Sequence, residues 1–401
     1  MMKKSLLVLG LMLIFINIKA SAAQISAGSW KFVLITSNAE VPFLIKFKYL
    51  NKKLTGVLYN GKETISLKDI TYKESEISIP LQTYELSLEL TQQTPTLVTG
   101  NLVRHNKNPI LKTPVTGTFG IKKRYETPKG KALINLSGKW TLTMEDEDGK
   151  MSPAIGTFTQ KNHHFSGSIL TPTGDYRYVD GQVNGNDFEG ASFDGVYNYI
   201  LKGSVRNGVM AAEVLSNSKT KVSGKIDPMA SLPNAYEQTK IKELKFIFPN
   251  LKGKSVSLNH PRFIGKPVIV QIFGSWCPNC LDEMNYLVPW YQENSKRGVE
   301  IIALAFERSL SVEGATRQLV KVQKKLKIPY ALLQAGSTAE HKPAERIEGL
   351  TNFISFPTTI FLDKNHQVVK VHAGFSGPST GEFFEKWKVE FNQTVDKLLE
   401  K

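Results

Sequence analysis

Cys277 and Cys280 are the only cysteines in a chain of 401 residues, and Pro278 and Asn279 lie between them. A structural disulfide framework needs several cysteines at long spacing, and a zinc site needs two further soft ligands, so the pair reads as one redox centre. Two thiols at this spacing can exchange a disulfide, with one sulfur attacking and the other resolving the mixed disulfide. The attacking sulfur must be a thiolate, and the flanking sequence provides for that.

Residues 268–273, VIVQIF, form a β-branched and apolar run of the kind that builds a buried central strand. Gly274, Ser275 and Trp276 turn the chain into the cysteines. Leu281, Met284, Leu287, Val288 and Tyr291 then follow at helical spacing. Cys277 therefore falls at a helix N-terminus, where unpaired amides and the helix dipole favour thiolate over thiol. Cys280, one turn further in, faces the same side, and Cys277 is expected to be the more exposed of the two.

Residues 236–401 resemble a thioredoxin-fold domain of the TlpA/ResA type of thiol-disulfide oxidoreductase. The resemblance rests on the cysteine motif and on three segments in family order: 248–258 (FPNLKGKSVSL), 265–268 (GKPV) and 356–363 (FPTTIFLD). It implies that Cys277 attacks, that Cys280 resolves, and that Pro357, after Phe356, is a cis-proline beside the disulfide. Trp276, Pro278 and Phe356 would then face the substrate. The ResA-like branch has a glutamate three residues after the second cysteine, and Glu283 stands there, in line to tune the thiols. Gln271 departs from the buried aspartate of many thioredoxins, which leaves Glu283 as the acid/base candidate; the alternative is a solvated acid that merely suits the helix dipole. The implied partners are protein disulfides and a membrane electron donor, in a process such as cytochrome c maturation, with no cofactor or metal. A peroxiredoxin-like peroxidase shares the opening hairpin, but a Cys-x-x-Cys pair argues against it. From another class, the chain could be a binding protein whose β region holds a ligand or partner, with the redox pair auxiliary.

Lys3 and Lys4, the apolar run 6–18 and Ala20-Ser21-Ala22 read as a cleavable secretory signal over residues 1–22, too short for a membrane span. The expected location is the periplasm or cell envelope, with peripheral or no membrane contact. The formal net charge is +15. No stripe of basic residues with interleaved aromatics concentrates it, so a nucleic-acid partner is not expected.

The stretch before the redox part is different in kind. Short β-rich runs broken by Gly, Asn or Pro follow one another, which predicts an all-β antiparallel meander. It is duplicated: Gly28-Ser29-Trp30 recurs as Gly138-Lys139-Trp140, Leu54-Thr55-Gly56 as Phe165-Ser166-Gly167, and Val115-Thr116-Gly117 as Val222-Ser223-Gly224. Two related barrel-like units are expected, at residues 23–122 and 134–227, with a single larger barrel as the alternative. Trp30, Trp140, Phe188, Phe193, Tyr199 and neighbouring tyrosines are expected to fill barrel cores rather than line a ligand cavity. A linker at 228–239 would lead to a self-contained α/β thioredoxin-like domain at 240–401, with helices on both sheet faces and an additional helix near 339–348.

Overall fold

The computed structural model describes residues 25–81, 84–105, 109–233, 243–309 and 311–400. The expected signal at 1–22 and residues 234–239 of the expected linker lie outside the described residues. No described helix is long and apolar enough to cross a membrane.

The N-terminal half consists of two nine-stranded antiparallel sheets. In Gly28–Ile35, Trp30, Phe32 and Leu34 turn inward, and in Gly138–Glu145, Trp140, Leu142 and Met144 do so, giving the two-residue period of a half-buried strand. The repetition seen in the sequence is geometric. The indole N–H of Trp30 donates to the Ser26 carbonyl and that of Trp140 to the Leu136 carbonyl, each at 2.9 Å. A Cβ on Gly117 would lie 2.4 Å from the Phe32 ring, and one on Gly224 would lie 2.1 Å from the Thr141 carbonyl oxygen. Both units therefore need glycine where the last strand crosses the first. Trp30, Trp140, Phe188, Phe193 and Tyr199 are buried, as core filling requires.

The units differ in closure. In the second, Gly138–Glu145 pairs with both Met151–Lys161 and Lys219–Ile226, and Met151–Lys161 also pairs with His164–Thr171, completing a ring of antiparallel neighbours. In the first, the sheet runs from Glu63–Leu67 at one edge to Thr71–Lys73 at the other without pairing the two. One unit is a barrel and the other an opened one. They meet through the stacked rings of Phe43 and Phe193, 3.7 Å between centroids.

The C-terminal part is a five-stranded mixed sheet in the order Ala331–Ser337, Glu300–Glu307, Val268–Phe273, Thr358–Leu362, Val368–Ala373. Val268–Phe273 lies at its centre and every residue of it is buried. Three helices, α1 (Pro278–Asn294), α2 (Val312–Leu326) and a C-terminal one (Glu382–Glu400), contribute to one apolar cluster with Ile269, Phe273, Ile301 and Ala303. The opposite face carries Val268, Val270 and Ile272 and is covered by Leu244, Phe246, Phe248, Phe263 and Ile347. The expected helices on both faces are found with unequal weight, since the opposite face has only the one-turn helix Pro343–Arg346, whose Ala344 packs there. Two successive right-handed parallel crossovers that step the same way across a sheet leave their helices on the same side. The expected helix near 339–348 is only one turn, Pro343–Arg346.

Candidate active site

The first helix begins where the cysteine motif predicts. Cys277 is its N-cap in extended conformation, and its sulfur accepts a hydrogen bond from the Cys280 amide at 3.3 Å. Pro278 takes the first helical position, where its missing N–H costs nothing. Both cysteines are free thiols and both are buried, even the one that caps the helix. The difference between them survives: Cys277 keeps 7% of its surface and Cys280 none. The Cys277 thiol points at the Phe356 carbonyl, 3.7 Å away. The Phe356-Pro357 peptide is cis.

Trp276 is half-buried, donates from its indole to the Phe306 carbonyl at 2.9 Å, and packs edge-on against Phe356 at 5.1 Å. The Arg308 guanidinium lies over its other surface, 4.1 Å from the ring centroid. Of the three residues expected to face a substrate, Trp276 and Phe356 keep accessible surface, while Pro278 is buried. The β region reaches the adjacent residue, where the Asp175 carbonyl accepts from the Asn279 side chain.

Glu283 is fully buried and is not a solvated helix acid. Gln271, the departure from the thioredoxin pattern, donates to one carboxylate oxygen at 2.6 Å, and Thr359 donates to the other at 2.6 Å. Burial pushes the Glu283 carboxyl up to about 7 against the pull of these two bonds. Burial, together with the neighbouring Cys277 sulfur, also drives the Cys280 thiol well above the ordinary cysteine value. A proton held at Glu283 and one held at Cys280 are therefore linked, as expected of interacting sites. Beneath Trp276, Glu307 accepts from the Ser275 amide at 2.9 Å and hydroxyl at 2.7 Å, fixing the turn before the cysteines.

A partly shielded nucleophile at a helix N-terminus, backed by a buried resolving thiol and a protonatable carboxyl, is arranged for thiol-disulfide exchange. The comparison with known proteins agrees. Residues 236–383 match the Redoxin family model. Over 143 residues the chain is 30% identical to the thiol-disulfide oxidoreductase ResA of Bacillus thuringiensis subsp. konkukian, spanning 35% of this chain and 72% of that protein. Against ResA of Halalkalibacterium halodurans it is 31% identical over 162 residues, 40% of this chain and 81% of that protein. The chain belongs to the ResA thiol-disulfide oxidoreductases. A solved thioredoxin-family thiol:disulfide interchange protein of Chlorobium tepidum TLS is 21% identical, with 39% of this chain covering 95% of it at a TM-score of 0.30.

Relative to those ResA proteins, this chain carries an extra half, and that half enters the redox site. Tyr84 of the open unit packs against the apolar cluster that holds Cys277. Tyr197 of the barrel is near enough to Cys277 to feel its charge. The Asn279 side chain donates to the Asp175 carbonyl at 3.1 Å, and Arg177 pairs with Asp282 of the first helix. The site is therefore not self-contained within 240–401. None of Asp175, Arg177, Tyr197 or Arg308 announces itself in the sequence, because each is a single residue in ordinary surroundings, brought to the cysteines only by the fold.

Proposed function

We propose that this protein is exported through residues 1–22 and reduces protein disulfides in the periplasm or cell envelope, drawing electrons from a membrane donor protein. Cytochrome c maturation is the process to which the family relation points. The observation that carries this reading is the asymmetry of the two sulfurs, Cys277 at the helix N-cap with residual exposure and Cys280 with none.

The Cys277 thiolate attacks one sulfur of a substrate disulfide; that S–S bond breaks, a Cys277–substrate disulfide forms, and the other substrate sulfur leaves as a thiol after taking a proton. Cys280 then loses its proton, with Glu283 as the acceptor, and attacks the Cys277 sulfur. The mixed disulfide breaks, the substrate departs with both thiols reduced, and the enzyme holds the disulfide until the donor returns two electrons. Trp276 and Phe356 form the surface against which an extended substrate segment lies, with the main chain beside Pro357 available for strand-like hydrogen bonds.

The decisive experiment is trapping. In cells exporting the Cys280→Ser protein, non-reducing gels are expected to show high-mass adducts that disappear on reduction and are absent from the Cys277→Ser/Cys280→Ser double variant. Exported protein that forms no Cys277-dependent adducts excludes protein disulfides as the substrates.

A further inference from the structure

Residues 174–178 follow the third strand of the closed barrel and lie against the first turn of α1. A Cβ on Gly174, where φ is +135°, would come within 2.3 Å of the Asn279 amide nitrogen, so the contact is backbone against side chain. Asp175 is buried and its carboxylate is fully engaged: it accepts from the Arg177 amide at 2.6 Å, the Gly377 amide at 2.7 Å and the Ser379 hydroxyl at 2.9 Å. The connection is thus tied to its own barrel and to the redox domain at once.

Arg177 completes the junction. Its side chain is 4% exposed, and its guanidinium meets three carboxylates: Asp282 of α1, Glu63 of the open unit, and Asp194 of the barrel at 2.7 Å. Asp282 stands two residues beyond Cys280 in the same helical turn region. Charges at such depth act on one another through little water, and this cluster meets the helix that carries both cysteines.

We propose that Arg177 and Asp282 are positioning residues that set the dithiol-disulfide equilibrium of the Cys277–Cys280 couple, which makes the barrel a component of the redox centre. The inference rests on the redox role given to that pair above. Reduction replaces a neutral disulfide by a pair in which the nucleophilic sulfur of Cys277 acts as a thiolate while the buried Cys280 keeps its proton. A nearby cation favours the reduced form and a nearby carboxylate favours the oxidised form. In the intact pair the two effects offset each other. Removing Arg177 leaves Asp282, Glu63 and Asp194 without their shared cation, and removing Asp282 leaves that cation with one acid fewer, so the two removals act in opposite directions. The other groups facing the couple are Arg308 from beyond Glu300–Glu307, Tyr197 from the barrel, and Glu283 from α1 itself; all are unchanged in the variants below.

The test uses the full mature chain equilibrated in glutathione redox buffers at pH 8, above the value of about 7 to which burial pushes the Asp282 carboxyl, with the reduced fraction read by acid quenching and thiol alkylation. Asp282→Asn is expected to shift the equilibrium about tenfold toward the dithiol, which is about 30 mV for a two-electron couple. Arg177→Gln is expected to shift it about tenfold toward the disulfide. Arg177→Lys, which keeps the charge, is expected to stay within threefold of wild type, and the double variant Arg177→Gln/Asp282→Asn to return most of the way. If Arg177→Gln does not fold, the isosteric Asp282→Asn and the double variant decide. Shifts of the same sign in both single variants, or a lowered Tm with equilibria within twofold of wild type, would reduce the pair to a structural role and overturn the proposal. A wild-type pair that does not equilibrate with glutathione at all would overturn the redox reading on which it rests.

Discussion

The two β units share a plan and differ at one pair of neighbouring strands. In the first unit, Glu63–Leu67 pairs along Lys53–Asn60 from Gly56 to Asn60 and takes up its free edge. In the second, the corresponding strand is only Gly174–Asp175, pairing with Leu170 and Thr171, so Val179–Asn184 can add to the same edge at residues 164–167. Shortening one hairpin arm closes the barrel. It also frees the chain that follows, and residues 174–178 leave the sheet to reach the redox helix. Glu63 and Arg177, which belong to the same connection in the two units, end as an ion pair. The two units are similar scaffolds, and the connection where they diverge is the one that meets the first turns of the redox helix.

The largest effect that can sharpen this contrast is a core truncation. Trp30 and Trp140 are equivalent, both buried and both bonded to a carbonyl four residues earlier. Replacing either by Ala removes a large buried ring and leaves a cavity, costing about 3–5 kcal/mol. The closed barrel has a complete ring of strand pairs and can relax less, so Trp140→Ala is expected to cost more than Trp30→Ala in denaturant unfolding of the full chain. Equal costs, or the reverse order, would show that closure does not stiffen the second unit.

How far such features could be read from sequence depends on the range of the interactions involved. The helix start at Cys277, the central strand and the repeat are legible because each is set by neighbours: cap, spacing, β-branching, a glycine opposite an aromatic ring. Closure was not, because the same alternating pattern fits an open or closed sheet, and the decision falls to hairpin length. Glu283 illustrates the middle case. Its place after Cys280 was informative, but its burial depends on Gln271 and on Thr359, the latter 76 residues away. Arg177 was invisible, since its partners Glu63 and Asp282 lie 114 and 105 residues away in opposite directions.

The next effect contrasts two buried charge arrangements, Glu283 held by two neutral donors and Arg177 with three acids. Glu283 is raised from 4.5 to about 7 in the folded protein, chiefly by burial. Between these values the folded chain holds a proton that the unfolded chain releases, so stability falls as pH rises through the window and levels off above it. The cost at alkaline pH is on the order of 3 kcal/mol, from the size of the shift. Glu283→Gln keeps the shape without the titration. Urea unfolding from pH 4 to 8.5 is expected to show the variant gaining stability relative to wild type as pH rises, and the alkylation rate of the thiols losing a component near pH 7. Parallel stability curves would mean that the carboxyl finds its charge tolerated in the folded state.

The smallest effect concerns a second ion pair across the boundary between barrel and redox domain. Lys139 and Glu382 approach to 3.2 Å, but Glu382 is 62% exposed, in contrast with the 4% of Arg177. Water and salt screen such a pair, and holding two long side chains in register costs entropy, so its contribution is about 0–1 kcal/mol. Glu382→Gln is therefore expected to change unfolding stability by less than about 1 kcal/mol at low salt, and by nothing measurable in 1 M NaCl. The glutathione equilibrium of the cysteines is expected to stay within twofold of wild type, because Glu382 begins the last helix and its ion-pair partner is Lys139, not a residue of the first helix. A redox shift as large as that of Asp282→Asn would mean that any charge at the boundary moves the couple, and that the Arg177–Asp282 contact holds no special position. A null result beside a tenfold shift for Asp282→Asn would locate the coupling at the one buried junction where the barrel meets the turn of the cysteines.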